Sequence, residues 1–101
     1  MHPLASTMSK SVVFPSFHAL SEPIRLQIIE LLKNAGELYA SEIAHLLGIN
    51  QSKLSFHLKT LNQSGLVLSR CQGRYIYYSL NVDQFSMLEE YLSQMKQLEE
   101  H

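Results

Sequence analysis

Helical periodicity up to about residue 63, one pair of extended segments around a tight turn, and a last amphipathic helix predict a mainly α chain with one β-hairpin. At 101 residues, the chain is long enough for one compact domain with a modest core. Residues 1–11 contain Lys10 as their single cation and no long apolar run, so they read as a flexible tail and neither a signal peptide nor a membrane span. A soluble, cytoplasmic protein without membrane association is expected, with its working domain over residues 12–98.

The first helix contains Phe14 and Phe17, and Pro15 should make it begin near that point or bend there. The next segment, SEPIRLQIIELLKN, opens with Ser21 as a candidate N-cap and Pro23 in the first turn. It repeats apolar residues at Ile24, Ile28, Ile29 and Leu32 and should stop by Ala35 and Gly36. In ASEIAHLLGIN, Ile43, Ala44 and Leu47 form a stripe, Gly48 suits the left-handed residue after a helix, and Asn50 caps the helix that follows. Two helices joined by a short glycine-containing turn have the form of a helix-turn-helix.

The helix from Gln51 carries a functional question. At about 100° per residue, Leu54, Leu58 and Leu61 share one narrow sector, and Phe56 falls nearly opposite. Ser52, Lys53, Ser55, Lys59 and Thr60 share the outer arc with Phe56, and His57 lies between the two faces. Short polar donors and cations of this kind reach base edges and phosphates, and an exposed aromatic can pack on a thymine methyl. The plainer account of Phe56 is an isolated exposed apolar residue.

After Gly65 the pattern becomes extended. LVLSRC and RYIYYSL are rich in β-branched and aromatic residues, and Gln72-Gly73 reads as a two-residue hairpin connection. Arg70 and Arg74 flank its tip. A helix-turn-helix followed by such a hairpin is a winged helix-turn-helix, in the order α-α-α-α-β-β-α. The closing stretch NVDQFSMLEEYLSQMKQL spaces Phe85, Leu88, Tyr91, Leu92, Met95 and Leu98 by three and four. That stripe packs within its own chain or pairs with a symmetry mate.

Charge follows the same division. The net charge is −1, yet no carboxylate occurs between Glu42 and Asp83, where Lys53, Lys59, Arg70 and Arg74 all lie. The residues from Asp83 onward are strongly acidic. A polyanion-binding surface on a neutral body leaves this asymmetry, and so does a merely solvated basic face. Phosphate-cradling glycine loops, metalloprotease helices and nucleophile elbows are missing from the sequence, so no enzyme is expected.

Taken jointly, several stretches resemble the ArsR/SmtB family of bacterial winged-helix repressors over roughly residues 17–98. They are Leu20-Ser21-Glu22-Pro23 with Arg25, Gln51-Ser52, Ser55 with His57-Leu58, Gly65-Leu66-Val67, and Gly73-Arg74 leading into Tyr77-Tyr78-Ser79-Leu80. The resemblance implies a homodimer formed by the first and last helices, binding an inverted repeat in double-stranded operator DNA and releasing it to an inducer. The site residues that follow are Gln51, Ser52, Ser55, Phe56 and His57 at the bases or groove, and Lys53, Lys59, Arg70 and Arg74 at phosphates. Phe14, Phe17, Phe85, Leu88, Leu92 and Met95 would form the dimer interface.

The family's inducer chemistry does not carry over. Its thiolate motif aligns with Glu37, Leu38, Tyr39, Ala40, Ser41, Glu42 and Ile43, which include no cysteine, and its histidine-bearing terminal helix has here Asp83 but no histidine before His101. Soft metals want two or more thiolates and zinc about four ligands, so neither a metal nor another cofactor is expected. His18, His45 and His57 are dispersed over three helices without a metal-ligand spacing, and His2 and His101 fall in the tails; His57 either donates to a phosphate or packs beneath the recognition helix. Cys71, the single cysteine, cannot form an intrachain disulfide. Its place on the hairpin beside Arg70 admits a redox- or persulfide-responsive repressor, against the simpler role of a small strand residue. A winged-helix module that binds protein instead of DNA is the rival from another class.

Overall fold

The computed structural model describes residues 3–98. Five helices and three strands follow in order: α1 (Pro3–Leu20), α2 (Pro23–Ala35), β1 (Leu38–Tyr39), α3 (Ala40–Leu47), α4 (Gln51–Gln63), β2 (Val67–Gln72), β3 (Tyr75–Leu80) and α5 (Val82–Met95). The sheet is antiparallel in the order β1-β3-β2. The expected winged helix-turn-helix is therefore present, with one strand more than the sequence announced. β1 consists of two residues, Leu38 opposite Tyr78 and Tyr39 opposite Tyr77, too short for alternation to mark it.

Local rules set most of the boundaries. Pro23 holds the residue before it in extended backbone, so Glu22 and not Ser21 is the cap of α2. Its carboxylate accepts the Arg25 N–H at 2.9 Å, and the Ser21 hydroxyl donates instead to the His18 carbonyl. Gly48 takes the left-handed conformation that ends α3, and Asn50 Oδ1 accepts the Lys53 N–H at 2.8 Å to start α4, both as the sequence predicts.

Two expectations change. α1 begins at Pro3, so residues assigned to a tail are helical, and the helix runs through Pro15. Pro15 lies on the exposed side, where the lost main-chain donor is cheapest to replace by water. The hairpin turn is Gly73-Arg74, one residue later than expected, because Gln72 pairs with Tyr75. Gly73 has φ +62° and Arg74 does not share a positive φ, the II′ arrangement that needs glycine first.

The core lies where α1, α2, α3, α4 and the base of the hairpin meet: Ile28, Leu32, Ile43, Leu54, Leu58, Leu61, Leu66 and Val67 are essentially sealed from water. A buried polar knot fastens α5 and α1 to the end of α4. Gln84 Nε2 donates to Ser16 Oγ at 2.8 Å, Ser16 Oγ donates to the Ser64 carbonyl at 3.0 Å, and Asn81 Nδ2 donates to the Gly65 carbonyl at 2.8 Å. Among the described residues no buried side-chain polar atom lacks a partner, and no helix is long and apolar enough to cross a membrane.

Candidate nucleic-acid interface

The two faces of α4 separate as its periodicity demands. Leu54, Leu58 and Leu61 are buried, and Gln51, Ser52, Lys53, Ser55, Phe56 and Lys59 are exposed. Phe56 is 64% exposed, its ring edge-on to His57 at 5.4 Å. Thr60 spends its hydroxyl on the Phe56 carbonyl, which keeps it within the helix.

His57 does not belong to that exposed set. It is 5% exposed and turned inward, where Arg25 Nη1 meets its Nδ1 at 3.1 Å. Burial, first among the causes, holds its pKa below the ordinary 6.5, with Arg25 and Lys53 adding to the effect and Glu22 opposing it. Its expected contact with bases or phosphate is therefore corrected: the ring belongs to the seat of α4. The missed partner had a signal. Arg25 stands three, four and seven residues before Ile28, Ile29 and Leu32, on an apolar stripe where an arginine needs company.

Arg70 also departs from its expected role. Its guanidinium makes a two-pronged ion pair with Glu37, Nε at 2.8 Å and Nη2 at 2.7 Å, donates to Gln72 as well, and lies 4.6 Å from the centre of the Tyr77 ring. Hydrogen bonding to Arg70 lowers the Glu37 pKa, and the same bond raises that of Arg70. Arg70 thus ties the hairpin to the segment before β1 through an exposed ion pair, which a phosphate would have to compete with. Among the described residues Lys53, Lys59 and Arg74 have no carboxylate partner. Lys53 and Lys59 flank the outer face of α4, and Arg74 occupies the hairpin turn.

Between the starts of α3 and α4 and the hairpin tip lies a shallow recess of about 240 Å³, lined by Tyr39, Ser41, Gln51, Arg74 and Tyr75 among others. The positions at which the family's thiolates would fall are thus Tyr39 and Ser41, and the Tyr39 ring packs on Tyr75 at 4.9 Å and on Tyr77 at 5.7 Å. Aromatic packing and a hydroxyl do not fit a soft metal. Among the described residues no three His, Cys, Asp or Glu side chains converge on a point. Cys71 is exposed on β2, opposite Ile76. His2 and His101 lie outside the described residues.

Of the six residues expected at a dimer interface, Phe17, Phe85, Leu88 and Leu92 come together with Leu20, Glu89, Ser93 and Lys96 around a groove of about 530 Å³ between α1 and α5. The two helices already pack within one chain, with Phe17 against Tyr91 at 5.9 Å and Leu88 buried. Met95 lies exposed at the end of α5. Phe14 is 71% exposed on the outer side of α1, stacked on His18 and apart from the groove.

The family model described as "Bacterial regulatory protein, arsR family" matches residues 22–69, from the cap of α2 into β2. The chain is 40% identical over 65 residues to the transcriptional repressor SdpR of Bacillus subtilis (strain 168), covering 64% of this chain and 71% of that protein. It is equally identical over 65 residues to the arsenical resistance operon repressor of Escherichia coli (strain K12), of whose length it spans 56%. An ArsR-like transcriptional regulator from Rhodococcus sp. RHA1 superposes with a TM-score of 0.78 at 28% identity, over 86% of this chain and 81% of that one. Helix-turn-helix, wing and sequence relationship agree: the chain belongs to the arsR family of bacterial regulatory proteins, as a DNA-binding regulator of transcription.

Proposed function

We propose that the chain is a repressor that binds an inverted repeat as a homodimer, with α4 of each copy in a major groove and the hairpin turn against the neighbouring backbone. The observation that carries this reading is the outer face of α4. Ser52, Ser55 and Phe56 stand exposed on a helix whose other side is sealed into the core, with Lys53 and Lys59 beside them and no carboxylate nearby in sequence. Gln51, Ser52, Ser55 and Phe56 read the groove, and Lys53, Lys59 and Arg74 take phosphates. The dimer forms along the α1–α5 groove, where Phe17, Phe85 and Leu92 leave apolar surface uncovered in the single chain.

The inducer of this repressor is not a metal bound by the family's thiolates, since Tyr39 and Ser41 stand in their place. Selection of duplexes from a random-sequence pool tests the reading. A palindromic consensus is expected, together with loss of specific binding in Ser55→Glu and an unchanged dimer by sedimentation. Recovery of no consensus, or equal binding by Ser55→Glu, contradicts it.

A further inference from the structure

Two polar side chains lie on stripes that are otherwise aliphatic. Arg25, 7% exposed, shares a face of α2 with Ile28 and Leu32, and His57, 5% exposed, shares a face of α4 with Leu54, Leu58 and Leu61. They meet at 3.1 Å, Arg25 Nη1 to His57 Nδ1. The guanidinium is held from behind, its Nε donating to the Ala19 carbonyl at 2.6 Å. The Glu22 carboxylate that caps α2 lies 3.9 Å from the same imidazole nitrogen.

A guanidinium has donors only and keeps its charge. The Nδ1 facing it must therefore present its lone pair, with the ring proton on Nε2, so the contact exists only for the neutral imidazole. Protonation turns Nδ1 from acceptor to donor and sets a second cation against the first in a site nearly closed to water. Glu22 offsets part of that repulsion, but its oxygen already accepts from the head of α2. Among the described residues, the charges acting on the ring are Arg25 and Glu22 from α2 and Lys53 one turn earlier on α4. From α1 the cluster receives the neutral Ala19 carbonyl.

We infer that His57 is a positioning residue for DNA reading: neutral, it pins α4 to α2 through Arg25, and protonated it lets go, so that acid releases DNA. The inference rests on α4 being the DNA-reading helix. Ser55, Phe56 and Lys59 surround His57 in sequence on the exposed side. A charged ring that turns α4 toward water re-aims all three.

Two measurements on the full chain test this. In nitrogen-detected spectra of the imidazole between about pH 8 and pH 5, Nδ1 is expected to be the unprotonated nitrogen at neutral pH. The amides of α4 should move as the ring takes up its proton. A proton on Nδ1 at neutral pH, or a titration that leaves α4 still, overturns the inference without any DNA present. Affinity for a duplex selected by the protein from a random pool is then expected to fall by about tenfold per pH unit per protomer below the ring's midpoint.

His57→Asn, whose Oδ1 replaces the Nδ1 acceptor without titrating, should restore the pin and flatten the profile, and His57→Leu should weaken binding at every pH. Affinity that rises in acid, as a phosphate contact by a charged imidazole demands, overturns the inference alone, and so does a fall that persists in His57→Asn. Failure to select any duplex at neutral pH overturns the DNA reading and this role with it.

Discussion

Phe56 and Leu58 lie two positions apart on one helix and should behave in opposite ways when shortened. Leu58 is buried among the core aliphatics, so Leu58→Ala should cost about 2–5 kcal/mol of stability. Phe56 contributes little to the fold, and Phe56→Ala should change stability by less than about 0.5 kcal/mol while weakening specific DNA binding by about tenfold, the value of one apolar base contact of ~1–2 kcal/mol. Denaturant unfolding and duplex titration of both variants separate the two effects.

His57 adds a pH signature to stability itself. Its pKa in the folded chain lies below 6.5, so the unfolded chain takes the proton first. The stabilisation is complete above 6.5, declines as pH falls from there to the folded pKa, and then levels off. Subtracting the unfolding curve of His57→Asn from that of the parent should isolate this decline. Glu22 and Glu37, both lowered from 4.5, act in a separate and more acidic window, where their contribution is lost as pH falls through the folded value.

Among the elements, the hairpin carries an exposed ion pair that competes with DNA for a cation. Arg70 is paired with Glu37 on the segment leading into β1, and under the proposed reading the wing meets DNA chiefly through Arg74. Glu37→Gln should release Arg70, tighten binding to random duplex, and steepen the log-log salt dependence by about 0.9 per protomer. An unchanged slope would show that Arg70 cannot reach a phosphate even when free.

The same pair marks the boundary of what sequence can reveal. Periodicity placed α2, α3, α4 and α5 because burial on one face imposes it over several turns, and the caps at Gly48 and Asn50 follow from local chemistry. The outer face of α4 was legible for the same reason. β1 and the Glu37–Arg70 pair were not, since they join residues 33 to 40 positions apart that only the folded sheet brings together. Pro15 misled because the rule against proline inside helices weakens on an exposed face. His57 sat between two sectors of the wheel, and only the arrival of Arg25 from another helix decided which side it took.

For the whole molecule, the proposed dimer places a second copy on the α1–α5 groove. Leu92→Glu places a carboxylate where Phe17, Phe85 and Leu88 leave an apolar wall. It should shift the protein to monomer in sedimentation while leaving its helical content unchanged, because Leu92 is already 50% exposed in the single chain. Binding to a single half-site should survive in that variant, and the gain from the second half-site should vanish.

The polarity of charge along the chain then acquires a structural meaning. Under the proposed reading the acid-free middle builds the DNA face, and Asp83, Glu89 and Glu90 lie on α5, away from it. Salt dependence of binding to random duplex tests this most directly. With Lys53, Lys59 and Arg74 from each of two copies, six neutralised phosphates predict a log-log slope of about −5. A flat dependence would contradict a DNA-binding dimer and point to a protein partner in its place.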